Sequence, residues 1–313
     1  MKRLLSSIWT PVARDMRAWA LAAVVVNAGI TVTGAAVRLT GSGLGCPTWP
    51  RCTADSFVPV PHPDHSPLNT AIEFGNRMFS LLVLAVAIAV FLAAWRLKRR
   101  SLIPLALVQP LGVIFQALWG GLVVRTALNP VTVSVHFLVS IGMIAAAYML
   151  FARSAEGDGP VVPVVHPWIV TLGRVLTGAM LVLLVAGVVT TGTGPHSGDE
   201  RASRFDFDIE VVARIHADVV WVVVGLTFAL LFALYLTKAP ERARKAALIL
   251  FAVEIGQGII GYVQYFLAVP ALLVGFHVLG AALVWIATLH VVHTLRERSE
   301  ITEFANHKTV TRV

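Results

Sequence analysis

Apolar residues dominate eight stretches of the chain, roughly 18–38, 71–94, 102–124, 132–152, 168–191, 211–236, 247–268 and 272–295. Each approaches the ~20 residues that a helix needs to cross ~30 Å of hydrocarbon. Very short turns around Pro130 and Pro270 separate the third stretch from the fourth and the seventh from the eighth. Those pairs are predicted to be antiparallel hairpins. An open sheet is excluded, because lipid cannot satisfy its edge. The predicted fold class is all-α integral membrane, with eight transmembrane helices.

Composition agrees. Of 313 residues, 57% are hydrophobic and 13% charged, against ~25% charged in a typical soluble domain; the mean hydropathy is +0.78. The net charge of +8 invites a nucleic-acid reading, which its placement opposes. Lys2, Arg3, Arg14 and Arg17 precede the first stretch, Arg96, Lys98, Arg99 and Arg100 follow the second, and Lys238, Arg242, Arg244 and Lys245 follow the sixth. With alternating helices all of these fall on one side, as the positive-inside rule requires. Asp199, Glu200, Asp206, Asp208 and Glu210 fall on the other. The expectation is a plasma-membrane protein with both termini cytoplasmic and a lipid bilayer, not nucleic acid, as its partner. The first span is expected to be retained, since no small-residue cleavage site follows it.

The chain repeats itself. Gln116 and His136 recur as Gln257 and His277 at one offset of 141 residues, and the end of the first stretch, Gly29 to Gly34, resembles Gly187 to Gly192. Four spans per half place the halves parallel, as tandem four-helix bundles related by a pseudo-two-fold axis along the membrane normal. The expected division is 1–152 and 153–313, with the outer loop 39–70 as the main asymmetry.

Intramembrane ionisable residues are costly and are functional candidates. His216 and His277 each lie about six residues, ~9 Å, from the outer end of their helices. Equal depth in one bundle suits two imidazoles on opposite faces of a haem; the alternative for each is an interhelical hydrogen bond. His136 is the counterpart of His277, but the counterpart of His216 is Asn76. The second half therefore offers two axial ligands, suited to electron transfer, and the first half one, which leaves a position open for chemistry. Glu73 shares a helical face with Asn76. It reads either as a carboxylate aimed into the first-half cavity, a proton acceptor or cation stabiliser, or as a helix-end group pairing with Arg77. Arg38, Arg77, Arg125 and Arg214 lie at outer helix ends, ready for haem propionates or for snorkelling to headgroups. Gln116 and Gln257 read as interhelical glue, and Gly120, Gly121, Gly258 and Gly261 as sites of close helix contact. Glu254 has no assigned role. His62, His65, His166, His196, His290, His293 and His307 read as solvated, with His62 and His65 a remote metal candidate.

Cys46 and Cys52, with five residues between them in the outer loop, are the only cysteines. On an oxidising side they read first as a bracing disulfide, with a redox-active dithiol as the alternative.

At these residues the sequence resembles the haem A synthase family. The likeness rests on Gly41-Ser-Gly-Leu-Gly-Cys46-Pro-x-Trp49-Pro50 through Cys52, on Ile72-Glu73 and Arg77, on His136, and on Ile215-His216 and Phe276-His277. It runs from the first span to the eighth. The resemblance implies oxidation of the C8 methyl of haem O to a formyl group, giving haem A for cytochrome oxidase. It implies haem B held through His216 and His277, and a substrate haem beside Glu73 and His136, with Asn76 where the family's second histidine stands. Expected partners are haem O and the haem O synthase, a quinol or other electron donor, and further copies of the chain in a homo-oligomer. The rival readings are a non-catalytic b-type haem electron carrier and, last, a transporter.

Overall fold

The computed structural model describes residues 13–60 and 66–298. Eight helices run through them: α1 (Ala13–Leu39), α2 (Pro67–Arg96), α3 (Ile103–Arg125), α4 (Pro130–Ser154), α5 (Pro167–Thr193), α6 (Ile209–Leu236), α7 (Glu241–Phe266) and α8 (Ala271–Thr294). All eight are long and apolar enough to cross a membrane, so the chain is a multi-pass membrane protein. Two three-residue strands, β1 (Val161–Pro163) and β2 (Arg296–Arg298), pair antiparallel with Val161 opposite Arg298. The apolar pattern shows no sign of them, because they lie at the water-facing end and pair through backbone alone.

Helix starts follow local chemistry. Proline, whose missing N–H costs nothing in a first turn, occupies the first or second position of α2, α3, α4 and α5. Side chains of Ser66, Asn129, His166 and Asp208 accept from the free N–H groups that follow them. α1 begins ahead of its apolar stretch and takes Arg14 and Arg17 into its first turns, since arginine forms helix readily wherever hydrocarbon ends.

The duplication extends to the turns. The α3–α4 hairpin turns through Ala127 and Leu128, both left-handed with φ of 49° and 59°; the α7–α8 hairpin turns through Ala268 and Val269, with 58° and 61°. The Leu128 N–H donates to the Val123 carbonyl and the Val269 N–H to that of Gln264, an equivalent pair. Left-handed backbone is unusual for bulky residues, so its recurrence at matched positions marks one hairpin design used twice. The neighbours α1–α2, α2–α3, α3–α4 and α1–α4 recur as α5–α6, α6–α7, α7–α8 and α5–α8.

The two quartets meet where α1 and α4 lie against α8, and α4 against α5. One apolar cluster crosses that seam, joining Ile141 and Ile144 of α4 to Leu176 and Met180 of α5 and Trp285 of α8. Trp285 Nε1 donates to the Ile141 carbonyl at 3.0 Å. Near the outer end, the Gly43 N–H donates to the Gly198 carbonyl at 2.8 Å.

Candidate functional site

In the second quartet α6 and α8 stand diagonally across the bundle, and His216 and His277 face each other between them. Their ring centres are 6.3 Å apart and their planes meet at 68°. Imidazole–metal bonds are ~2 Å long, so two trans ligands on one metal, each with a ring radius of ~1 Å, hold their ring centres ~6 Å apart. Both Nδ1 atoms are buried with no hydrogen-bond partner. An interhelical hydrogen bond, the alternative reading, is therefore not formed by either Nδ1. Buried polar atoms ordinarily find partners, so this pair fits a haem held through two imidazoles.

Glycine makes room for each ring. A Cβ on Gly187 of α5 would lie 3.2 Å from Cε1 of His216, and one on Gly261 of α7 3.3 Å from Cε1 of His277. On the first side, a Cβ on Gly120 of α3 would lie 3.5 Å from Cε1 of His136. Gly120 and Gly261 thus serve less as helix contacts than as floors under imidazoles. The neighbouring helix also grips each backbone: Gln116 Nε2 donates to the His136 carbonyl at 3.0 Å, and Gln257 Nε2 to that of His277 at 2.7 Å.

The fourth position breaks the pattern. Asn76 Oδ1 accepts from Thr33 of α1 at 2.7 Å. Gly29, the counterpart of Gly187, is covered instead by the Phe79 ring, 3.3 Å from where a Cβ would stand. Thr33 and Phe79 escaped the sequence reading; the alignment of Gly29 with Gly187 was the available signal. His136 is left with a buried, unpartnered Nδ1 and no opposing imidazole.

Glu73 is buried, with 5% exposure, and both of its oxygens are engaged. Oε2 accepts from the Cys46 N–H at 2.6 Å, and Oε1 from Arg77 Nη2 at 2.6 Å and Nε at 3.2 Å. Arg77 in turn donates to the carbonyls of Thr48, Arg51 and Cys46. Cys46 and Cys52 form a disulfide. The loop that carries it is thus fastened to α2 through the bonds that the paired Glu73 and Arg77 make to its backbone, and Asn69 Nδ2 donates to the Gly41 carbonyl at 3.3 Å.

Residues 17–289 match the COX15-CtaA family, described as cytochrome oxidase assembly protein. The chain belongs to this family. Among curated relatives, the Heme A synthase of Staphylococcus haemolyticus is 29% identical over 148 residues, 46% of this chain and 47% of that protein. That of Listeria welshimeri is 31% identical over 146 residues, 46% and 47%, and that of Alkalihalophilus pseudofirmus 32% over 142 residues, 44% and 46%. The chain spans about half the length of the curated relatives it matches.

The outer arginines divide. Arg38 reaches across the seam and donates to the carbonyls of Thr191 and His196, at the end of α5 and in the loop beyond. Arg77 is committed to the loop. Arg125 is exposed, and its one hydrogen bond among the described residues goes to the Trp49 carbonyl, at 3.5 Å. Arg214, two residues from His216, is exposed and has no hydrogen bond or ion pair among the described residues.

Several histidines read as solvated are engaged. His196 Nε2 contacts the Val269 carbonyl at 2.9 Å, His290 Nδ1 the Tyr148 hydroxyl at 2.9 Å, and His166 caps α5. His62, His65 and His307 lie outside the described residues. No cluster of three metal-ligating side chains occurs among those described. Glu254 on α7 accepts from Thr227 at 2.9 Å, and its other oxygen is buried without a partner.

Proposed function

We propose that the chain is a haem A synthase, oxidising the C8 methyl of haem O to a formyl group. The observation that carries this reading is the facing His216 and His277 pair in one half, set against a lone His136 in the other. Family membership and relatives named Heme A synthase support it. Residues 153–313 form the electron-holding half, in which His216 and His277 would hold haem B and Arg214 would pair with a propionate. Residues 1–152 form the reacting half. His136 ligates haem O there, and Asn76, engaged by Thr33, supplies no second imidazole.

Haem supplies one-electron exchange when six-coordinate and oxygen chemistry when an axial position is open. The chain's own part is positional. Glycine floors and glutamine grips hold the imidazoles in place, Arg125 is set for a first-half propionate, and the surrounding apolar helices exclude water. Glu73, at the outer end of the same helix as Asn76, is the proton acceptor for the oxidised methyl group, with Arg77 holding its orientation. The plasma membrane is the location, with both termini cytoplasmic, supported by the basic residues gathered at one end of the bundle. For each hydroxylation of the methyl group dioxygen is the oxidant: one oxygen atom enters the C–H bond and the other leaves as water, with two electrons from a quinol or other donor and two protons; loss of water from the doubly hydroxylated carbon gives the formyl group.

A pyridine haemochrome spectrum tests this. Co-expressed with a source of haem O, the protein is expected to yield extractable haem A. His216→Ala is expected to remove the b-type signal, and Glu73→Ala to abolish haem A while b-type haem stays bound. Glu73→Gln, which keeps an acceptor for the Cys46 N–H, separates the proton from the loop clamp. A folded protein with intact b-type haem and no haem A is instead an electron carrier, and sinks the reading.

A further inference from the structure

At the end of the bundle away from His136, His216 and His277, charged side chains meet without balancing, with His293 beside them 3.5 Å from Glu156. Arg153 lies in the last turn of α4, Glu156 and Asp158 follow it in the loop, Arg99 follows α2, and Arg296 and Arg298 form β2. Glu156 lies 3.8 Å from Arg153, 3.3 Å from Arg296 and 3.3 Å from Arg298. Asp158 lies 3.3 Å from Arg99 and 3.8 Å from Arg153. A hydrogen bond from Ser101 and the charges of Arg99 and Arg153 hold the Asp158 carboxyl below its usual range, so it stays ionised at neutral pH. Among the described residues, four guanidinium groups thus face two carboxylates, an excess of two positive charges.

The excess is neither dispersed nor well hydrated. The four arginine side chains are only 18–28% exposed. The Nε atom of Arg99 is buried with no hydrogen-bond partner, and those of Arg153 and Arg298 are buried and meet Glu156 at 3.8 and 3.3 Å without forming a hydrogen bond. The β1–β2 pairing and a bond from Arg298 Nη1 to the Gly159 carbonyl hold the guanidiniums together. Packed cations of this kind call for an anion, and guanidinium forks match phosphate oxygens. The ends of α2, α4 and α8 that surround them lie where the apolar spans stop, at the level of phospholipid headgroups.

We propose that this cluster is a binding site for the phosphate headgroup of an anionic phospholipid. Basic pockets between helix ends at the membrane surface suit such headgroups, and each nearby arginine adds to the attraction. The site is independent of the haem reading, because it occupies the opposite end of the bundle.

The test uses the purified full-length protein, delipidated in detergent and titrated with phosphatidylglycerol or phosphatidylcholine, with bound lipid counted by native mass spectrometry. Phosphatidylglycerol is expected to bind preferentially. Arg153→Gln combined with Arg298→Gln is expected to weaken it about tenfold or more. Glu156→Gln removes a competing charge and is expected to strengthen it, a change that general loss of structure would not produce. Equal binding of the two lipids overturns the proposal. So does displacement of phosphatidylglycerol by millimolar inorganic phosphate, which marks a free-anion site.

Discussion

Gly187 carries more of the site than its size suggests. At 3.2 Å from the His216 ring, its missing Cβ leaves no spare room, and a branched side chain would push the imidazole off its line with His277. Gly187→Val is expected to cost ~1–3 kcal/mol of local packing and to remove most b-type haem from the purified protein. Gly120→Ala, with its Cβ at an ordinary 3.5 Å from His136, is expected to leave the first half intact. Retention of full b-type absorbance in Gly187→Val would show that the ring does not depend on this floor. The histidines themselves were legible from depth and duplication. Their glycine floors were not, because a glycine in an apolar helix looks the same whether it faces an imidazole or another helix.

The disulfide loop and α2 make one element-scale device. Its α2 side is local: Ser66 caps the helix, Pro67 starts it, and Glu73 meets Arg77 one turn on. Its loop side comes from afar. Cys46 donates to a carboxylate 27 residues away, and a Cβ on Gly45 would come within 2.7 Å of the Asn69 carbonyl oxygen. That neighbour is backbone and has little freedom to yield. Gly45→Ala is expected to lift the loop from α2 and speed the reduction and alkylation of Cys46 and Cys52 by a mild thiol. An unchanged rate would mean that the Glu73–Arg77 clamp alone holds the loop. The pairing of Glu73 with Arg77 was one of two readings open to the sequence. Its simultaneous hold on Cys46 needed the fold.

At the scale of the molecule, the seam between the quartets ties the two sites together. Trp285 is buried and bonds from α8 to the Ile141 carbonyl of α4, while Arg38 bonds from the end of α1 into the loop after α5. Trp285→Phe forfeits that bond, at ~0.5–1.5 kcal/mol, and Trp285→Ala is expected to cost ~3–5 kcal/mol. Both halves should then unfold earlier together in a detergent titration followed by helicity and haem absorbance. Early loss confined to one half would show that the quartets are stabilised separately. The eight spans, the sidedness of the charge, the duplication and the short list of buried polar residues follow from the chain by itself, because hydrocarbon imposes length and polarity on each segment independently. Only the tertiary structure decided that the rings of His216 and His277 stand 6.3 Å apart, that Thr33 takes up Asn76, and that Arg38 bonds across the seam. Those outcomes depend on distances between helices, and packing among residues far apart in sequence sets them.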